Sequence, residues 1–107
     1  MDLESQLVDS AMIRGADYFG VADLTPARDT ILEQGGTEVA EYPHSISIGI
    51  TLFHPIVDLL FKRPDRAAAA SYRSHCYDVI NTRLDQIISH LASVLQRKGH
   101  SAFPVPA

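Results

Sequence analysis

One cysteine, Cys76, is all the thiol this chain has. An internal disulfide is therefore excluded, and a reducing, cytoplasmic setting is expected. One thiol also cannot hold an iron–sulfur cluster, which normally takes four. No apolar run approaches the roughly 18 residues needed to cross a bilayer. The opening Met1-Asp2-Leu3-Glu4 is too acidic for a signal peptide. Basic residues are few and scattered, and the net charge is −4 with histidine neutral, so a nucleic-acid surface is not expected. There is no G-x-G-x-x-G and no phosphate loop. The five histidines make neither an HxxxH nor an HExxH pattern. His54 and Asp58, four apart, are a weak two-residue metal signal against a plain solvated pair, and no metal is expected in the chain.

What is present is enough for one α/β domain over residues 1–107. A chain of this size buries roughly 60–70% of its unfolded surface. Its organising stretch is 65–98, which reads as one long helix. Asp65 is a good N-cap, Ala67 to Ala70 favour helix strongly, Arg97 and Lys98 suit the dipole, and Gly99 suits C′. Unbroken, it would span roughly 50 Å. Tyr77, Ile80, Leu84, Ile87, Ile88, Leu91 and Leu95 fall on one apolar stripe. Tyr72, His75 and Val79 form a second patch, nearly opposite. A helix with useful groups on both sides has either a site or a partner surface there.

The remaining elements are short. Residues 2–14 read as an amphipathic helix ended by Gly15, 18–22 as a strand, and Thr25-Pro26 as the start of a helix that stops at Gly35-Gly36. Residues 37–43 read as a loop or short extended piece. Ser45 to Leu52 is the clearest strand: Ile46, Ile48, Ile50 and Leu52 alternate with Ser45, Ser47, Gly49 and Thr51. Its small face admits a close backbone, a helix or a flat ligand, or else plain solvent. A short helix over 54–61 and a charged hinge at 62–66 follow. A third strand is expected over 100–105, at a sheet edge because of Pro104 and Pro106. The sum is a small sheet of three or more strands flanked by helices. Cys76 reads as a buried structural thiol. Asn81, in the apolar stripe, reads as an amide that bonds nearby backbone.

Four segments occur in an order that carries a resemblance: Gly15 to Leu24, Tyr42 to Ile50, Tyr72–His75–Tyr77–Asn81–Leu84, and Ala102 to Ala107. The chain resembles the N-terminal part of epoxyqueuosine-reductase-like iron–sulfur proteins, relatives of the respiratory reductive dehalogenases. The resemblance implies a cobalamin-dependent reductase, with a corrinoid on an α/β core and a following ferredoxin-like module that holds two four-iron clusters. It also implies that the chain stops before the cluster cysteines. The cofactors and the C-terminal module then belong to a longer parent, and the chain alone is inactive. In the family the long helix carries an acid, in an Asp-Tyr-His run, as proton donor. His75 stands opposite that acid here, which makes His75 the candidate donor, with Tyr72 beside it, and puts the epoxyqueuosine substrate in doubt. The alternative expectation is a small non-enzymatic binding or dimerisation domain, self-associating through Tyr72, His75 and Val79.

Overall fold

The computed structural model describes residues 2–62 and 65–107. The expected hinge at 62–66 lies partly outside the described residues. Helix α1 (Leu3–Ile13) starts where Asp2 accepts a hydrogen bond from the Ser5 N–H at 2.7 Å. It ends at Gly15, whose φ of +105° is natural only to glycine and over which the Arg83 guanidinium lies. Strand β1 (Tyr18–Asp23) follows, and a 3₁₀ turn at Thr25–Ala27 leads into α2 (Arg28–Ala40). Gly36 kinks α2 with φ +84° and ψ 177°, but helix resumes beyond it. The expected stop is therefore a bend, and the expected loop begins only after Ala40. Strand β2 (His44–Gly49) pairs antiparallel with β1, Tyr18 opposite Gly49 and Asp23 opposite His44.

Helix α3 (His54–Lys62) matches its expected span within a residue. The long helix then runs without interruption as α4 (Arg66–Arg73), a π-helical segment (Ser74–Ile80) and α5 (Asn81–Arg97). Asp65 caps it by accepting from the Ala68 N–H at 2.9 Å. Gly99, at φ +88°, closes it, with the His100 N–H returning to the Leu95 carbonyl at 3.0 Å. A helix over 66–97 is about 48 Å long, and it sets the 47 Å long axis of the molecule.

The fold is α/β, with two strands among the described residues. His100–Val105 forms no ladder; instead Phe103 meets Tyr42 edge-on and the Ala107 N–H bonds the Asp85 carboxylate at 2.7 Å. With two prolines this tail adds no strand and lies as a clamp on α5. The core is small. Leu7 and Ala11 of α1, Ala16, and Ile87 and Leu91 of α5 are buried together, with Phe19, Ile46, Ile48 and Ile50 of the ribbon laid on them. The alternation read in 45–52 thus puts its isoleucines on α1 and α5. Its small face, with Tyr18, Gly20 and Ala22 opposite Gly49, Ser47 and Ser45, is left outside.

Candidate functional site

The two residues proposed from the sequence, Tyr72 and His75, lie where α3 meets the long helix. α3 packs on α4, and together with the π-helical segment it makes an arm beyond the core. Residue by residue the arm is tied down as follows. The Phe53 carbonyl accepts from the Ile56 and Val57 N–H groups at 3.1 and 3.2 Å, which starts α3. The Phe53 N–H, which α3 cannot use, donates to His75 Nε2 at 3.0 Å. The two rings stack, centroids 4.6 Å apart and 16° from parallel. His75 is 6% exposed, whereas the Phe53 ring that covers it is 58% exposed.

This geometry bears on the chemistry of His75. With Nε2 accepting, Nδ1 is the nitrogen that carries the proton. A donor role would use Nδ1, or Nε2 after Phe53 moves. His75 does not share an exposed patch with Val79: it faces inward, Val79 is exposed, and Tyr72 is half-buried. The Tyr72 phenol is held above its ordinary pKa, first by its hydrogen-bonding interaction with the buried Cys76 thiol and that group's charge, then by some burial and the charge of Tyr77. Tyr72 and Tyr77 meet edge-on, centroids 6.4 Å apart.

Tyr77 corrects the stripe drawn from the sequence. Ile80, Ile87 and Leu91 are buried as expected, but Tyr77 is 62% exposed. The cause is the π-helical segment. Its i→i+5 bonds widen the turn, so each residue advances by less than the 100° of an α-helix. A phase carried back from Leu84 at α-helical spacing therefore misses Tyr77. Asn81, at the start of α5, is half-buried instead of lying inside the core. Cys76 is buried, as expected of a structural thiol. His54 and Asp58 are both exposed, and the described residues hold no group of three or more possible metal ligands.

Two hollows lie elsewhere, and neither is lined by Tyr72 or His75. A cavity of about 320 Å³ sits between β2, α2, α5 and the tail, walled by Ile46, Ile31, Leu91 and Phe103 among others. A more open groove of about 870 Å³ is lined by Leu3, Leu7, Val21 and Leu95 together with Glu4, Glu38 and Glu41. Sequence reasoning missed Phe53 as the partner of His75. The available signal was Pro55 at the start of α3, which leaves the backbone groups just before it seeking partners.

Compared with models of known protein families, with curated proteins and with solved structures, the chain gives no match. No helix among the described residues is long and apolar enough to cross a membrane.

Proposed function

We propose that this chain is the N-terminal α/β module of an oxidoreductase similar to the epoxyqueuosine reductases, and that it is not catalytic alone. One observation carries the reading: the folded chain leaves too much of itself uncovered. Its accessible surface is 7604 Å², against about 5,900 Å² for a compact protein of its mass. Its radius of gyration is 16.7 Å, against about 13 Å for a compact chain of this length. The uncovered surface includes Phe53, Phe61, Tyr77 and Val79 on the arm and the bare face of the ribbon. In this reading further protein covers both, and the completed sheet has three or more strands.

The residues present do not fit the cofactors of the suspected parent. The one thiol is buried, and His75 Nε2 is engaged by Phe53. Cobalamin and the four-iron clusters are therefore assigned to the rest of the parent, with a ferredoxin-like domain as partner and the cytoplasm as setting. Tyr72 and His75 remain the candidate proton donors, His75 through Nδ1. The test is to express the uninterrupted reading frame that contains this chain, reconstitute it anaerobically with iron, sulfide and hydroxocobalamin, and record ultraviolet–visible spectra. Cluster and corrinoid bands are expected; their joint absence removes the reductase reading.

A second reading, a small non-enzymatic domain that self-associates, is favoured by the same exposed surface. Light scattering of the 107-residue chain tests it: a monomer at all concentrations counts against it.

A further inference from the structure

Helix α2 has little core of its own. Beyond the 3₁₀ turn that starts it, it packs closely on no other element among the described residues. Its apolar side chains border a space instead: Ile31, before the bend at Gly36, and Val39, beyond it, both line the cavity of about 320 Å³. From α5, Ile88, Ala92 and Leu95 line the same cavity at helical spacing. All five are half-buried, where a closed core would bury them. The tail adds a further wall through Ala102 to Val105. It is held there by the edge-on contact of Phe103 with Tyr42 and by the Ala107 N–H on Asp85.

The size and the lining select what fits. An apolar cavity of roughly 150 Å³ stays dry and takes benzene, and small-molecule sites run from roughly 300 to 1,000 Å³. A cavity of about 320 Å³ therefore suits one or two fused rings. No Asp, Glu, Lys or Arg is among the residues that line it, and an ion brought in without a counter-charge would lose its hydration uncompensated. The polar groups gather on one side. Tyr42, His44 and Ser101 line both this cavity and the open groove beside it, which adds Glu4, Glu38 and Glu41 and no Lys or Arg. That side repels an anion, while a hydroxyl or carbonyl on a neutral ligand meets two hydroxyls and an imidazole there.

We propose that this cavity is a binding site for an uncharged aromatic molecule of one or two fused rings that carries a single hydroxyl or carbonyl group. The ring system lies between Ile31 and Val39 of α2 and Ile88 and Ala92 of α5, with the Phe103 ring on the tail side. The polar group lies toward Tyr42 and Ser101. The ligand supplies the packing that α2 lacks, so binding tightens α2 and the tail onto α5. This rests on neither the reductase reading nor the self-association reading.

The experiment titrates 2-naphthol, two fused rings with one hydroxyl, into the native chain and follows the methyl groups by nuclear magnetic resonance. Saturable shifts are expected at Ile31, Val39 and Ile88, and none at Ile56 and Leu59 of α3, which lie outside the cavity. The α2 amides should exchange more slowly with the probe bound. 2-Naphthoate, the same rings with a carboxylate, should bind at least tenfold more weakly. Ala92→Phe, which places a ring in the cavity, should weaken 2-naphthol binding at least tenfold with unchanged circular dichroism. Cavity methyls that do not shift, or that shift without saturating, overturn the proposal. So does 2-naphthoate bound as tightly as 2-naphthol, or an Ala92→Phe chain that binds like the native one. Titration of the native chain decides the matter even if the variant does not fold, and each of these failures leaves the reductase reading standing.

Discussion

His75 and Phe53 hold each other twice, once through the backbone N–H donated to Nε2 at 3.0 Å and once through stacked rings. The first contact satisfies the backbone donor that the start of α3 leaves over. The second excludes water from the first. Together they tie the loop before α3 to the π-helical segment, in addition to the packing of α3 on α4.

Replacing His75 with alanine should therefore strip the partner from a part-buried N–H and leave a hollow under Phe53. A loss of about 2–4 kcal/mol is expected. Urea unfolding of the variant measures it. A loss within a few tenths of a kcal/mol would show that the contact is incidental.

Leu91 is 2% exposed at the centre of the core. Leu91→Ala should cost about 2–5 kcal/mol by transfer and cavity terms together. Val79→Ala, on an exposed part of the π-helical segment, should stay within about 0.5 kcal/mol. Thermal melts of the two variants side by side separate core from surface.

Gly15 and Gly20 should respond oppositely to alanine. At Gly15 the backbone has positive φ and the Arg83 guanidinium occupies the space of a Cβ, so Gly15→Ala should destabilise by about 1–2 kcal/mol. At Gly20 nothing stands in the way, and Gly20→Ala should be neutral or slightly stabilising. Chemical denaturation of each variant reads the sign.

Stability should fall on the acid side, and the sign follows from three groups. Asp2 and Asp23 are held below the ordinary carboxylate range by the N–H groups of Ser5 and Thr25. Their contribution is present above the unfolded carboxylate pKa and is lost as pH falls through the lower folded one. His90 is depressed by desolvation first and then by Arg14 and Arg97. Its unfolded imidazole takes a proton more readily than the folded one, so stability also drops as pH falls below the ordinary imidazole value. Asp2 and Asp23 are exposed and His90 is half-buried, so the carboxylates' part of the effect is small. His90→Gln should flatten the slope near neutral pH, and melts against pH would show it. A slope unchanged in that variant would point to another group.

Cys76 should resist a thiol reagent in the native state and react at the rate of an exposed thiol once urea unfolds the chain, because burial keeps the reagent out. Cys76→Ala should also bring the Tyr72 phenol back toward its ordinary titration range, since the bond to the thiol is the main cause of its rise. Ultraviolet titration of the phenols follows it.

The sequence by itself determined the local elements whose signals are chemical and short-range. Asp65 as cap and Gly99 as terminator bound the long helix, and the isoleucines of β2 chose the face that packs on α1 and α5. These follow from capping, φ and side-chain alternation, which act within a few residues. The tertiary structure alone decided the rest. The phase of the long helix changes through Ser74–Ile80, because a π-helical turn has no mark in apolar spacing, and so Tyr77 points to solvent while His75 turns in. Whether 100–105 becomes a strand depends on an edge to pair with, which no property of that segment supplies; Phe103 meets Tyr42 instead, and Ala107 just beyond it bonds Asp85. Phe53 and His75 are 22 residues apart, and only the fold of α3 back onto α4 brings a leftover backbone donor to an imidazole that can accept it.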